Sequence, residues 1–132
     1  MRIERFEDIQ AWQEARKLTA QVYKLTRAEP FSRDFGLRDQ IQRAAVSVMG
    51  NIAEGFGRKS NQDFLRFLGI AYSSVLEVQS HLYVALDLEY IDQKQFEATY
   101  KVAASTMRLI GGFINYLQNQ TTGEPRTKEP PR

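Results

Sequence analysis

The stretch N-I-A-E-G-F-G-R-K-S-N-Q-D-F, residues 51–64, decides the fold. It holds a G-x-G, two adjacent basic residues, a serine and a carboxylate, which together invite a reading as a phosphate-cradling loop. A Walker loop needs G-x-x-x-x-G-K-[ST] after a strand, and a dinucleotide loop needs G-x-G-x-x-G in a strand-turn-helix unit. Neither pattern is present. No segment of the chain alternates with period two for long enough to argue a strand. The stretch reads instead as a junction between two helices. Gly55 and Gly57 supply the exit of the first, since glycine tolerates the left-handed conformation that ends helices. Ser60 opens the second by accepting a bond from the N–H three residues on, with Asp63 reaching back as in a capping box. A second reading stays open, in which free N–H groups at that helix start meet a phosphate beside Arg58 and Lys59.

Working outward, helices are expected over about residues 7–27, 36–56, 61–88 and 93–118. In the first, Ile9, Trp12, Ala15, Thr19, Val22 and Leu25 recur at helical spacing, Glu7 and Asp8 suit a positive helix start, and Pro30 stops it. The second starts near Gly36 and carries Leu37, Ile41, Ala44, Ala45, Val48 and Ile52. In the third, Phe64, Leu68, Ala71, Val75, Val78, Leu82 and Ala85 alternate steps of four and three. A further set, Phe67, Ile70, Tyr72, Leu76, Tyr83 and Leu86, covers its other faces. The fourth opens at Asp92 with Gln95 as a capping pair, and Phe96, Tyr100, Ala103, Met107, Ile110, Ile114 and Leu117 repeat the same rhythm. Short connections favour antiparallel neighbours, so the expected architecture is an all-α, up-down-up-down four-helix bundle over residues 1–119. Residues 120–132, polar and proline-rich, are expected to form a disordered tail.

A chain of 132 residues holds one domain with a real core. It has no cysteine, which excludes disulfides and thiolate chemistry. The N-terminal M-R-I-E-R-F-E-D has no apolar signal region and no apolar run is long enough to span a bilayer, so a cytoplasmic location is expected. Net charge is only +2, but it is uneven. Residues 1–66 carry 12 Lys/Arg against 9 Asp/Glu, while residues 67–117 carry three basic against five acidic side chains. Such a distribution allows a basic face on a nearly neutral protein.

F-E-D-I-Q-A-W-Q-E-A-R (6–16), L-R-D-Q-I-Q-R-A-A-V-S-V (37–48), N-I-A-E-G-F-G-R (51–58), F-L-R-F-L-G-I-A-Y-S-S-V-L-E (64–77) and the D-L-x-Y-I junction (87–91) resemble the 23S rRNA intervening sequence protein family, over about residues 6–117. The resemblance implies a bacterial four-helix bundle that assembles as a homopentamer. Some members are encoded inside rRNA intervening sequences. A related accessory protein of diversity-generating retroelements is a basic pentamer that works with a reverse transcriptase and nucleic acid. Two positions depart from the family pattern. Met49-Gly50 stands where the family often has proline within helix two, and Glu89 stands where it usually has glycine before Tyr-Ile.

Gln40, Arg43, Ser47, Asn51 and Glu54 line one side of the second helix. They are expected to form a structural polar network, at a subunit interface, with an RNA-facing role as the alternative. His81 is the single histidine; a metal site has no partners for it, and Ser73, Ser74 and Ser80 have nothing to place them in a triad. Val78 occupies the position a di-iron pattern would need as a carboxylate. No catalytic residue, cofactor or metal is therefore expected. The leading expectation is a non-enzymatic, self-associating accessory protein that binds RNA or DNA through phosphate contacts from Arg16, Lys17, Lys24, Arg38, Arg58, Lys59 and Arg66. The alternative is a protein-protein scaffold whose charges serve only solubility.

Overall fold

The computed structural model describes residues 3–120. The tail expected over 120–132 lies outside them, apart from Gln120. Among the described residues there are four α-helices and no strand: α1 (Gln10–Arg27), α2 (Phe35–Phe56), α3 (Asn61–Asp87) and α4 (Gln93–Gln118). The arrangement is consistent with a four-helix bundle. Helix α1 packs on α2 and α4, and α3 packs on the same two, with the α2–α3 interface the most extensive.

Each helix buries one stripe. All seven residues of the leading heptad set on α3, from Phe64 to Ala85, are buried, and Ala15, Leu18, Val22, Ile41, Val48, Ile52, Ala103 and Ile110 meet them from the other helices. A fully buried Leu, Ile or Phe side chain contributes about 1.5–3 kcal/mol, so this shared interior is the main source of stability. Polar groups stitch adjacent helices at fixed heights. Thr19 Oγ1 donates to Ala45 O at 3.2 Å, Gln42 Nε2 to Thr26 Oγ1 at 2.9 Å, and Asn61 Nδ2 to Gln120 Oε1 at 2.9 Å.

The helix ends differ from expectation in four places, each for a local reason. Helix α1 starts at Gln10 rather than near Glu7, because Phe6–Asp8 form a 3-10 turn and Ile9 is extended. Asp8 Oδ2 closes that turn by accepting from the N–H groups of Glu4 and Arg5 at 3.0 and 3.2 Å. Helix α2 starts one residue before Gly36, capped by Asp34, whose Oδ1 accepts from Leu37 N–H at 3.1 Å. The exit of α2 is not left-handed: Gly57 sits at φ −76°, ψ −7°, and Gly55 is still inside the helix. At the start of α3, Ser60 Oγ accepts from Asp63 N–H at 3.1 Å, but Asp63 turns toward Arg66 instead of completing the box. The Asp92–Gln95 box of α4 closes in both directions.

The two departures from the family pattern resolve cleanly. Helix α2 runs without interruption through Met49 and Gly50. Glu89 takes the left-handed conformation, φ 61°, that a glycine would adopt freely. Around it, Tyr90 N–H donates to Ala85 O at 2.9 Å and Glu89 N–H to Leu86 O at 3.0 Å, the paired bonds of a Schellman cap.

Candidate nucleic-acid interface

Gly55 begins the construction of this site. A Cβ at Gly55 would lie 2.8 Å from both Phe64 Cδ1 and Phe67 Cβ, so only a bare backbone lets the end of α2 approach α3 this closely. The approach carries Arg58, just beyond α2, onto the ring of Phe67. Its guanidinium carbon lies 4.7 Å from the ring centroid, and that of Arg66 lies 4.5 Å from the same centroid. The two guanidinium groups are therefore no more than about 9 Å apart, although their residues belong to different segments. Lys59, exposed, adjoins Arg58 in the connection.

Each arginine also has a carboxylate beside it. Arg58 Nη2 is 2.7 Å from Glu54 Oε2, and Arg66 Nε is 3.9 Å from Asp63 Oδ1. These pairs are largely solvated, and exposed ion pairs hold only about 0–1 kcal/mol. An incoming phosphate can replace either carboxylate at little cost. The stacked guanidiniums keep part of their orientation from the ring, where a cation–π contact contributes about 0.5–1 kcal/mol.

The other four basic candidates lie elsewhere. Arg16 stands over Trp12 at 5.9 Å, Lys17 Nζ is 3.4 Å from Glu14, and Lys24 is exposed near the end of α1. Arg38 donates to Ser32 O and Asp39 Oδ1, both at 3.1 Å, and lies 4.8 Å from the Phe35 ring. Twenty residues of mostly helical chain place it roughly 30 Å from Arg58. The seven candidates thus divide among separate places, of which the Arg58–Lys59–Arg66 group is the compact one.

The polar series on α2 divides as well. Ser47 and Asn51 join Ser74 of α3: Asn51 Nδ2 is 2.9 Å from Ser47 Oγ, and Ser47 Oγ is 3.0 Å from Ser74 Oγ. Glu54 pairs with Arg58, while Gln40 and Arg43 remain exposed on the rim of a surface hollow of about 290 Å³. The hollow is also lined by Asp39, Ala44, Ser47, Ser74 and Glu77. Residue order does not reveal one of the participants. Phe67 reads from sequence only as core or interface, and nothing local marks it as a platform for two arginines. Ser74 lies on the buried side of α3 within the heptad pattern, a signal that the sequence does carry. His81 is half-buried, and its Nε2 has no hydrogen-bond partner among the described residues. No group of three or more His, Cys, Asp or Glu among those residues is placed to hold a metal. Among them, no helix is long and apolar enough to cross a membrane.

The family model described as 23S rRNA-intervening sequence protein matches residues 7–112. A crystal structure of a protein of unknown function from the S23 ribosomal protein family of Bacteroides thetaiotaomicron is similar in fold, with a TM-score of 0.73. It is 24% identical, over 79% of this chain and 97% of that one. No curated protein matches the chain.

Proposed function

The chain belongs to the 23S rRNA-intervening sequence protein family, and we propose that it is a bacterial, cytoplasmic, non-enzymatic accessory protein that binds nucleic acid through phosphate contacts. The observation that carries this reading is the convergence of Arg58 and Arg66 on one phenyl ring, with Lys59 adjoining. Structured RNA is the proposed substrate class, read by its backbone rather than its bases. A reverse transcriptase is a protein partner in keeping with the family resemblance.

The second part of the proposal is self-association of an up-down-up-down antiparallel bundle, with five copies as the family resemblance implies. The antiparallel course is supported by the cross-helix pairs, in which Ser47 meets Ser74 while Gly55, further along α2, approaches Phe64 and Phe67. Association is supported by Ile70, Leu76 and Val84 on α3, Leu88 just beyond its end and Val46 on α2, each 41–51% exposed. Repetition around a ring would multiply weak phosphate contacts that one nearly neutral protomer cannot make strong. The same apolar residues also favour a second reading, a scaffold that binds protein alone.

Electrophoretic mobility of a structured RNA across a salt series tests the proposal, with mass from light scattering measured alongside. Affinity falls steeply with salt and depends little on sequence. Changing Arg58, Lys59 and Arg66 together to Ala weakens binding and flattens the salt slope at unchanged oligomer mass. Binding indifferent to that change, or absent at low salt, favours the scaffold.

A further inference from the structure

Three cations stand in line along α4. Lys94, Lys101 and Arg108 recur every seven residues, so they share one helix face, each about 10 Å from the next. All three are exposed, and none has an ion pair among the described residues. Glu97 is the only acidic side chain of α4, and its Oε2 accepts from Gln93 Nε2 at 2.8 Å. The helix therefore presents three basic groups against one carboxylate that already has a partner.

An apolar strip runs beside them. Tyr83 of α3 packs on Phe96 and Tyr100 of α4, with ring centroids 4.8 and 5.8 Å apart, yet remains 50% exposed. Leu76, seven residues earlier, is 48% exposed, and Tyr72, one turn before it, adjoins Gly111 of α4. This line is centred about a third of a turn around α3 from exposed Ile70 and Val84, so it belongs to a separate face. Between Arg66 and Asp87 the only Asp, Glu, Lys or Arg of α3 is Glu77, which lines the hollow on the α2 side. The strip thus has an apolar floor, a cationic edge on α4 and, at exposed Ser73 and Ser80 of α3, an uncharged one.

We propose that this strip receives an amphipathic helix of a protein partner. Its apolar stripe lies on Leu76 and Tyr83, and a row of carboxylates at seven-residue spacing on one flank faces Lys94, Lys101 and Arg108. The charge pattern selects this occupant. A helix laid along α4 repeats its flank at the interval of the three cations, and a charged edge on one side only fixes its orientation. A phosphate backbone would meet the cations and leave the apolar strip in water. A second copy of the chain lacks the complement, since none of the four helices carries three carboxylates at seven-residue spacing. The surface shares no residue with the Arg58–Lys59–Arg66 group, so its test is independent of nucleic-acid binding there.

The test uses the full chain and a fluorescein-labelled three-heptad helical peptide with a leucine stripe and one glutamate per heptad on a single flank. Two further peptides carry glutamine or lysine in place of the glutamates. Fluorescence anisotropy rises saturably with the glutamate peptide, and the glutamine peptide binds at least tenfold more weakly. The double variant Lys101→Glu/Arg108→Glu, with helical content unchanged by circular dichroism, loses the glutamate peptide at least tenfold and gains the lysine peptide. Equal binding of the glutamate and glutamine peptides, indifference to the double reversal, or no binding overturns the proposal. A fall in light-scattering mass on the double reversal overturns it in favour of a second copy of the chain. Loss of RNA binding with the peptide response unchanged overturns it in favour of nucleic acid.

Discussion

The phenol of Tyr90 donates to Asp34 Oδ2 at 3.0 Å, while Asp34 Oδ1 caps α2 by accepting from Leu37 N–H at 3.1 Å. One carboxylate therefore joins the start of α2 to the end of α3, across 56 positions of sequence. The ring of Tyr90 also lies 5.3 Å from that of buried Phe31, which holds the phenol in place. Tyr90→Phe is expected to lose about 1–2 kcal/mol, as for a hydrogen bond to a charged group at a half-exposed site. Asp34→Ala loses the cap as well, about 1 kcal/mol more. Urea unfolding of both single variants and the double variant measures the coupling, and additive losses would contradict this picture.

The same bond gives a pH dependence at the alkaline end. Its acceptor, Asp34, holds the Tyr90 phenol above the ordinary tyrosine value, with desolvation a lesser cause. Tyr100 is also raised, first by burial and then by neighbouring Tyr83. Unfolded tyrosine loses its proton near pH 10, so above that the folded chain holds protons that the unfolded chain has released. The stabilisation from these phenols is complete below about pH 10 and falls as pH rises through the raised folded values. Ultraviolet titration of the folded protein shows late-ionising tyrosines, and Tyr90→Phe removes one of them.

Glu89 is a residue with a side chain in a glycine's conformation. Left-handed backbone costs an L-residue about 1–2 kcal/mol, partly offset in Glu89→Gly by the freer unfolded chain. The substitution is expected to raise stability by up to about 1 kcal/mol. Thermal unfolding checks it, and a loss of stability would mean that the Glu89 side chain contributes more than its backbone costs.

Two glycines of α2 make a matched pair. Gly55→Ala forces a methyl to within 2.8 Å of Phe64 and Phe67, and overpacking of this kind costs about 1–3 kcal/mol. Gly50 lies exposed in the helix interior, and a methyl added there would meet nothing within 4 Å. Gly50→Ala is expected to stabilise by about 0.5–1 kcal/mol. Equal effects at the two positions, read by denaturant midpoints, would refute the steric role given to Gly55. If the proposed phosphate contacts are made, Gly55→Ala also weakens RNA binding in the folded fraction, because it displaces Arg58 from Phe67.

The number of helices, their approximate spans, the Asp92–Gln95 box and the buried face of α3 are legible in residue order. Each depends on neighbours three or four positions apart, and helical geometry converts that spacing directly into a shared face or a closed cap. The start of α1 is not legible, because Asp8 spends its carboxylate on N–H groups upstream of it. Composition alone leaves that choice undecided between a 3-10 turn and a first α-turn. Gly55 is necessary for a different reason from the one that its position suggests. Local logic offers a glycine near a helix end the left-handed exit, whereas the close approach of Phe64 and Phe67 is what requires it here.

Sequence by itself determined that this chain is helical, where its apolar stripes run and which side chains carry charge, because those properties are set within one or two turns. Tertiary structure alone decided that Arg58 and Arg66 both lie against the ring of Phe67, that Ser47 finds Ser74, and that Asp34 meets Tyr90. Such contacts depend on the rotation and depth at which whole helices dock. Those are fixed by the joint packing of many side chains, including the bare backbone at Gly55, and no local pattern contains them.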